Sequence, residues 1–178
     1  MTELPAFRYH PDPLTTGEVK LSDEACLRCE QARGYVYTGP VFAVDEIVDE
    51  LCPWCIADGS AAAQFEAQFT DAFDAPVDTP QSVITELTTR TPGFSGWQQE
   101  HWLYHCGDAA AFLGRAGYAD LRGFPDALEM LLRENEEFGW SPEQCESYVQ
   151  HLDADGEATG YLFRCLHCGT HLAYSDMS

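Results

Sequence analysis

Three cysteine pairs with two residues between the partners punctuate the chain: Cys26-Leu-Arg-Cys29, Cys52-Pro-Trp-Cys55 and Cys165-Leu-His-Cys168. Two intervening residues let a tight turn aim both sulfurs at one ion while its N–H groups donate to them. Two such turns close the tetrahedron that a structural zinc ion takes. Cys26, Cys29, Cys52 and Cys55 are therefore read as one zinc site. The 22 residues between Cys29 and Cys52 slightly exceed the spacing of about 15–20 common for this pattern, and a strand and a short helix fit into them. Cys52-Pro-Trp-Cys55 also has the form of a thiol-disulfide oxidoreductase motif, in which the first cysteine becomes a reactive thiolate at a helix N-terminus. Such a motif follows an apolar buried strand, whereas Asp45-Glu-Ile-Val-Asp-Glu50 is acidic and helix-patterned. Zinc is the first reading and redox chemistry the alternative.

The third pair needs partners for a second zinc. Gly169 directly after Cys168 suits a zinc knuckle, because glycine takes positive φ cheaply. Candidate partners are His101, His105, Cys106, Cys145, His167 and His171. Cys145 lies on the apolar stripe of its own helix and reads as a core residue, and His167 inside the knuckle points poorly toward the same ion. Cys106, expected just before a helix N-terminus where the dipole favours a thiolate, and its neighbour His105 complete the predicted set with Cys165 and Cys168. Adjacent residues can bind one ion only on an irregular backbone. An open hydrolytic site built from His105, Cys106 and Asp108 is a third possibility, but no His-Glu-x-x-His or nucleophile-elbow pattern occurs. No catalytic residue is assigned.

These ligands need elements to hold them. Gly34–Thr38 reads as a strand after the first pair, and Val44–Leu51 as a short acidic helix or turn. Ala62, Phe65, Phe69 and Phe73 recur at helical spacing, with Ser60 or Asp58 as cap. Residues 74–80 are Pro- and Asp-rich, the best linker candidate. Thr79 caps a predicted helix carrying Val83, Ile84 and Leu87. Asp108 caps another through Ala109, Phe112, Leu113 and Ala116. Pro125 opens a helix bearing Leu128, Leu131 and Leu132. Ser141-Pro-Glu-Gln144 is a capping box for one with Cys145, Tyr148, Val149 and Leu152 inward. Tyr161–Arg164 and His171–Tyr174 flank the third pair as strands. The class is α+β: small zinc-knuckle β-hairpins packed with about five or six helices. One domain over 1–178 is expected, with a zinc-ribbon-like part at 1–73, a helical part at 79–152 and a knuckle hairpin at 160–178.

Thirty acidic residues against nine basic ones give a formal net charge of −21, and each four-thiolate zinc site would add a further −2. Such a chain repels phosphate backbones, so the finger-like pairs do not imply nucleic-acid binding. The charge provides solubility and could steer the chain toward a basic protein partner. The four tryptophans, Trp54, Trp97, Trp102 and Trp140, read mainly as core. No stretch has the apolar length of a membrane span, and the first residues lack the basic-then-apolar order of a secretory signal. A cytoplasmic protein is expected, whose eight cysteines are thiols or metal ligands rather than disulfides.

Leu4-Pro-Ala-Phe-Arg-Tyr-His-Pro-Asp-Pro-Leu14, Gly34-Tyr-Val-Tyr-Thr-Gly-Pro40 and Leu51-Cys-Pro-Trp-Cys-Ile-Ala-Asp-Gly-Ser-Ala61 resemble the CbrC family. So do Arg90-Thr-Pro-Gly-Phe-Ser-Gly-Trp-Gln-Gln-Glu100, Trp102-Leu-Tyr-His-Cys106 and Gly160-Tyr-Leu-Phe-Arg-Cys-Leu-His-Cys168. The likeness covers nearly the whole chain. It implies a bacterial cytoplasmic protein that binds zinc, with a link to colicin tolerance or envelope stress, and it brings no enzymatic activity.

Overall fold

The computed structural model describes residues 3–178, in two compact units that divide between Ser95 and Gly96. Among the described residues there are six helices and seven strands, a mixed α+β composition in which each sheet is small and antiparallel.

In the first unit, β1 (Val19–Leu21) pairs with β2 (Tyr35–Tyr37), Val19 opposite Tyr37. The long loop joining them carries Cys26 and Cys29. Tyr37 also bridges to Leu51, its N–H donating to the Leu51 carbonyl at 2.8 Å, and this delivers the chain to α1 (Pro53–Ala57). Pro53 suits the first helical turn because its fixed φ is already helical and its missing N–H would have had no partner there. The segment from Val44 to Leu51 is irregular, with bends and no helix. Next come α2 (Ser60–Phe65), at whose start Ser60 N–H donates to Asp58 Oδ1 at 2.8 Å, and α3 (Gln81–Arg90), which begins one residue later than the Thr79 cap predicted.

The helical spacing from Ala62 to Phe73 overstates the helix. It stops at Phe65 because Glu66 turns left-handed (φ 50°) and Gln68 then bridges to Phe42. Phe69 reaches the core from that extended segment, while Phe73 is 89% exposed. The core joins Phe7, Val19, Tyr37, Leu51, Ile56 and Phe69 to Cys26, Cys52 and Cys55. Each large side chain buried there contributes roughly 1.5–3 kcal/mol.

His10 sits fully buried in this unit. Its Nδ1 is 2.7 Å from the Pro92 carbonyl, which can only accept, so Nδ1 carries the proton and Nε2 accepts from Thr16 Oγ1 at 2.7 Å. Burial lowers its pKa to about 4, against the opposing pull of the Pro92 carbonyl and Asp12. The folded value lies below the unfolded one near 6.5, so the stabilisation is complete above about pH 6.5 and is lost as pH falls toward 4. Its size is about 3 kcal/mol. Urea midpoints of the first unit measured from pH 7 to 4 should fall further in the wild type than in His10→Gln, the gap between the two curves opening below about pH 6.5. Parallel curves for the two proteins would refute the assignment.

The second unit opens with a two-residue hairpin of β3 (Tyr104–His105) and β4 (Asp108–Ala109). A three-stranded sheet follows, ordered β5 (Ala111–Ala116), β6 (Ala158–Arg164), β7 (His171–Met177), all antiparallel. Between β5 and β6 run α4 (Tyr118–Leu121), α5 (Pro125–Glu137) and α6 (Pro142–Gln150). The Ser141 capping box forms as read: Gln144 N–H donates to Ser141 Oγ at 3.3 Å and Ser141 N–H to Gln144 Oε1 at 2.9 Å. The central strand β6 has both faces covered. Leu162 and Ala173 face Leu121, Ala127, Leu131 and Val149 of the helices. Phe163 lies in the opposite layer, its ring 5.7 Å from Trp102 and 5.2 Å from Phe112, while Tyr161 stacks on Tyr174 at 4.8 Å.

The predicted helix from Asp108 to Ala116 is instead β4 and β5. A register shift between Phe112 and Gly114 inserts Leu113 as an exposed extra residue. One inserted residue breaks the two-residue alternation, and Ala109, Phe112, Leu113 and Ala116 then imitate a helical stripe. The tryptophans divide: Trp102 is buried, whereas Trp97 and Trp140 are exposed and Trp54 is half-buried beside Tyr35 and Arg33.

Candidate metal centres

Cys26, Cys29, Cys52 and Cys55 converge in the first unit, and His105, Cys106, Cys165 and Cys168 in the second. In each group the ligand atoms all lie within 4.8 Å of one another. All eight residues predicted as ligands fall in these groups, four in each. Of the other candidates, Cys145 is buried in the core of α6, His101 lies edge-on to Tyr174, and His171 Nδ1 is 3.6 Å from Asp126.

The two halves of the first cluster have different local causes. Cys26-Leu27-Arg28-Cys29 is a knuckle in the β1–β2 loop: Cys26 N–H donates to the Gln31 carbonyl at 3.1 Å, and Glu30 N–H returns to the Cys26 carbonyl at 2.7 Å. Glu30 is left-handed, φ 57°. Cys52 is the N-cap of α1 and Cys55 lies in its first turn. Cys52 N–H donates to Cys26 Sγ at 3.2 Å, which joins the halves, and Cys29 Sγ is 3.8 Å from Cys52 Sγ. A zinc ion about 2.3 Å from each of four sulfurs sets tetrahedral edges of roughly 3.8 Å. The 3.8 Å separation fits that ion and is far too long for a disulfide.

The second cluster repeats the knuckle on a different hairpin. Cys165 N–H donates to the Thr170 carbonyl at 2.8 Å, Gly169 N–H returns to the Cys165 carbonyl at 3.1 Å, and Gly169 has φ 77°, the conformation the sequence required of it. His167 N–H donates to Cys165 Sγ at 3.4 Å. The other half is the turn between β3 and β4. Cys106 and Gly107 both have positive φ, 54° and 72°, as a type I′ hairpin demands. This is the irregular backbone that lets neighbours share one ion: His105 Nδ1 lies 3.3 Å from Cys106 Sγ and 3.4 Å from Cys168 Sγ, and Cys106 Sγ is 3.8 Å from Cys168 Sγ. A zinc with one nitrogen and three sulfur ligands has N···S edges of roughly 3.6 Å. The helix dipole invoked for Cys106 is absent, because β4 follows it rather than a helix.

Asp108, predicted as a helix cap, accepts from His167 Nε2 at 2.8 Å through Oδ2. That bond ties the β3–β4 turn to the knuckle. Only the pattern of His167 pointing away from its own cysteines hinted at such a role in the sequence.

The protons of each cluster are shared unequally. Burial alone would raise Cys26, but the N–H groups of Cys52, Cys29 and Arg28 outweigh it and bring the thiol down to about 7. Burial and the neighbouring sulfur raise Cys52 to about 11, and burial pushes Cys55 higher still. In the second cluster the bond to Cys168 raises Cys106 to about 11, with Cys168 lowered chiefly by the Thr170 hydroxyl and N–H. Cys165 is also lowered, its N–H donors at Cys168 and His167 overcoming burial. Four sulfurs this close cannot all be anionic without a counter-charge, and a divalent cation in place of the shared protons supplies one.

Fold and clusters together define an α+β protein with two sulfur-rich groups, each able to hold a metal ion. Residues 4–177 match the Uncharacterised protein family (UPF0167), and the chain belongs to that family. UPF0167 proteins of Mycobacterium bovis and Mycobacterium tuberculosis are each 54% identical to it over 177 residues, covering 99% of this chain and 95% of theirs. A UPF0167 protein of Pseudomonas aeruginosa is 44% identical over 170 residues, 93% of each chain. No solved structure matches the chain. Among the described residues no helix is long and apolar enough to cross a membrane.

Proposed function

We propose that the chain is a zinc-stabilised binding protein without catalytic activity, holding one structural zinc in each unit. The observation that carries this reading is the convergence of Cys26, Cys29, Cys52 and Cys55, with an edge of 3.8 Å, inside the first unit's own apolar core. Four sulfurs alone would also suit iron. The histidine of the second set favours zinc, which accepts imidazole and thiolate together at tetrahedral corners.

The oxidoreductase alternative draws less support. Its nucleophile would be Cys52, which is buried and whose thiol is raised rather than lowered. A hydrolytic zinc needs an open position, and in the second cluster four side chains already fill the tetrahedron, while Asp108 is engaged by His167. The charge of −21 suits a basic protein partner in the cytoplasm, and the CbrC resemblance adds a role in colicin tolerance or envelope stress.

Elemental analysis of protein expressed without added metal tests the reading. Two zinc equivalents per chain are expected, with X-ray absorption giving sulfur-only ligation at one site and mixed nitrogen–sulfur ligation at the other. Less than half an equivalent of zinc, or iron in its place, would refute it.

A further inference from the structure

The two clusters differ in what solvent can reach. In the first, Cys26, Cys52 and Cys55 are buried in the apolar core and Cys29 is half-buried. In the second, Cys106 and Cys168 are both exposed, and their sulfurs are 3.8 Å apart. Cys106 occupies the tip of a two-residue turn between two-residue strands, in a left-handed conformation that costs a non-glycine residue about 1–2 kcal/mol. Such a turn can move by the small distance needed to bring two sulfurs from 3.8 Å to a bond of about 2.05 Å. The bond between His167 and Asp108 holds the turn against the knuckle without using any ligand atom.

We infer that Cys106 and Cys168 are an oxidant-responsive pair: hydrogen peroxide joins them in a disulfide and expels the metal ion of the second unit, while the first unit keeps its own. The inference rests on the zinc occupancy proposed above. In the first step one exposed thiolate attacks a peroxide oxygen; the O–O bond breaks, the sulfur becomes a sulfenic acid and hydroxide leaves. In the second step the other thiolate attacks that sulfur and displaces hydroxide. Two thiolates, one peroxide and two protons give one disulfide and two waters. The sulfurs lose two electrons and the peroxide gains them. His105 and Cys165 are then the remaining ligands, too few to retain zinc against water. Because His167 and Asp108 still tether the turn, reduction regenerates the site.

The test uses the full chain loaded with two zinc equivalents, treated with hydrogen peroxide and followed with a chromogenic zinc indicator. One equivalent should leave at least tenfold faster than the other. The denatured thiol count should fall from eight to six, and peptide mapping should find Cys106 bridged to Cys168. Dithiothreitol and zinc should restore two equivalents. Release of both ions at one rate, no release, or a bridge that omits Cys106 would overturn the inference while leaving the zinc sites standing. A chain that cannot be loaded with two equivalents would overturn both.

Discussion

Cys52→Ser is expected to leave one zinc equivalent per chain instead of two and a first unit that no longer folds. A structural zinc site of this type contributes on the order of 10 kcal/mol, as much as the net stability of an ordinary domain. Serine conserves the shape but is a poor zinc ligand at neutral pH. Were the four cysteines merely small core residues, the same change would cost only the desolvation of one hydroxyl, about 1–3 kcal/mol. Cys145→Ser supplies that comparison, since Cys145 is 1% exposed and belongs to neither cluster. It should lose about 1–3 kcal/mol and keep both zinc ions. Metal analysis, together with protease resistance of residues 3–95, separates the outcomes. If Cys52→Ser behaves like Cys145→Ser, the first centre is not a metal site.

What could be read from the sequence follows the range of the interaction. The Ser141 capping box, the strands beside Cys165 and Cys168, and the conformation of Gly169 are decided within a few residues, and all three are present. The two Cys-x-x-Cys pairs of the first cluster were legible for the same reason. The helix assigned to Asp108–Ala116 failed because one bulged residue, Leu113, shifts a strand's alternation into a helix-like stripe. Its failure removed the supposed dipole beside Cys106 and revealed a tight turn instead. Likewise Phe69 was correctly apolar but wrongly helical, since a bridge between Gln68 and Phe42 captured the chain where Glu66 had ended α2. The bond from His167 to Asp108 spans 59 residues, and no local rule reaches that far.

The knuckles at 26–31 and 165–170 share one backbone design. The first cysteine donates to the carbonyl five residues on, the residue after the second cysteine donates back to it, and that residue is left-handed. One uses Gly169 and the other Glu30. What differs is the second half of each set: a helix N-terminus carrying Cys52 and Cys55 inside a core, against a hairpin tip carrying half-buried His105 and exposed Cys106. The same knuckle is thereby built into a buried and an accessible centre.

Gly93→Ala should destabilise the first unit by about 4–5 kcal/mol, among the largest costs a single methyl can impose. The residue is small for lack of room: a Cβ there would lie 1.8 Å from the Phe69 carbonyl oxygen and 3.2 Å from Pro40. The obstacle is backbone, and it is fixed, because Phe69 N–H donates to the Thr88 carbonyl at 2.8 Å. Relief therefore requires moving the 91–94 loop, and that loop is tied to Tyr37. Gly93 N–H donates to the Tyr37 hydroxyl at 3.0 Å, which itself donates to the Pro40 carbonyl at 2.8 Å. Tyr37 in turn bridges to Leu51, the residue before Cys52, so displacement propagates to the cysteines of the first cluster. Gly123→Ala is the control, its Cβ meeting nothing nearer than 3.4 Å, and it should shift stability by less than about 0.5 kcal/mol. Urea unfolding of the zinc-loaded variants, followed by zinc release from the first unit, should separate the two by several-fold in midpoint shift. Equal midpoints would mean that the loop carrying Gly93 yields freely and does not brace β2 against the first centre.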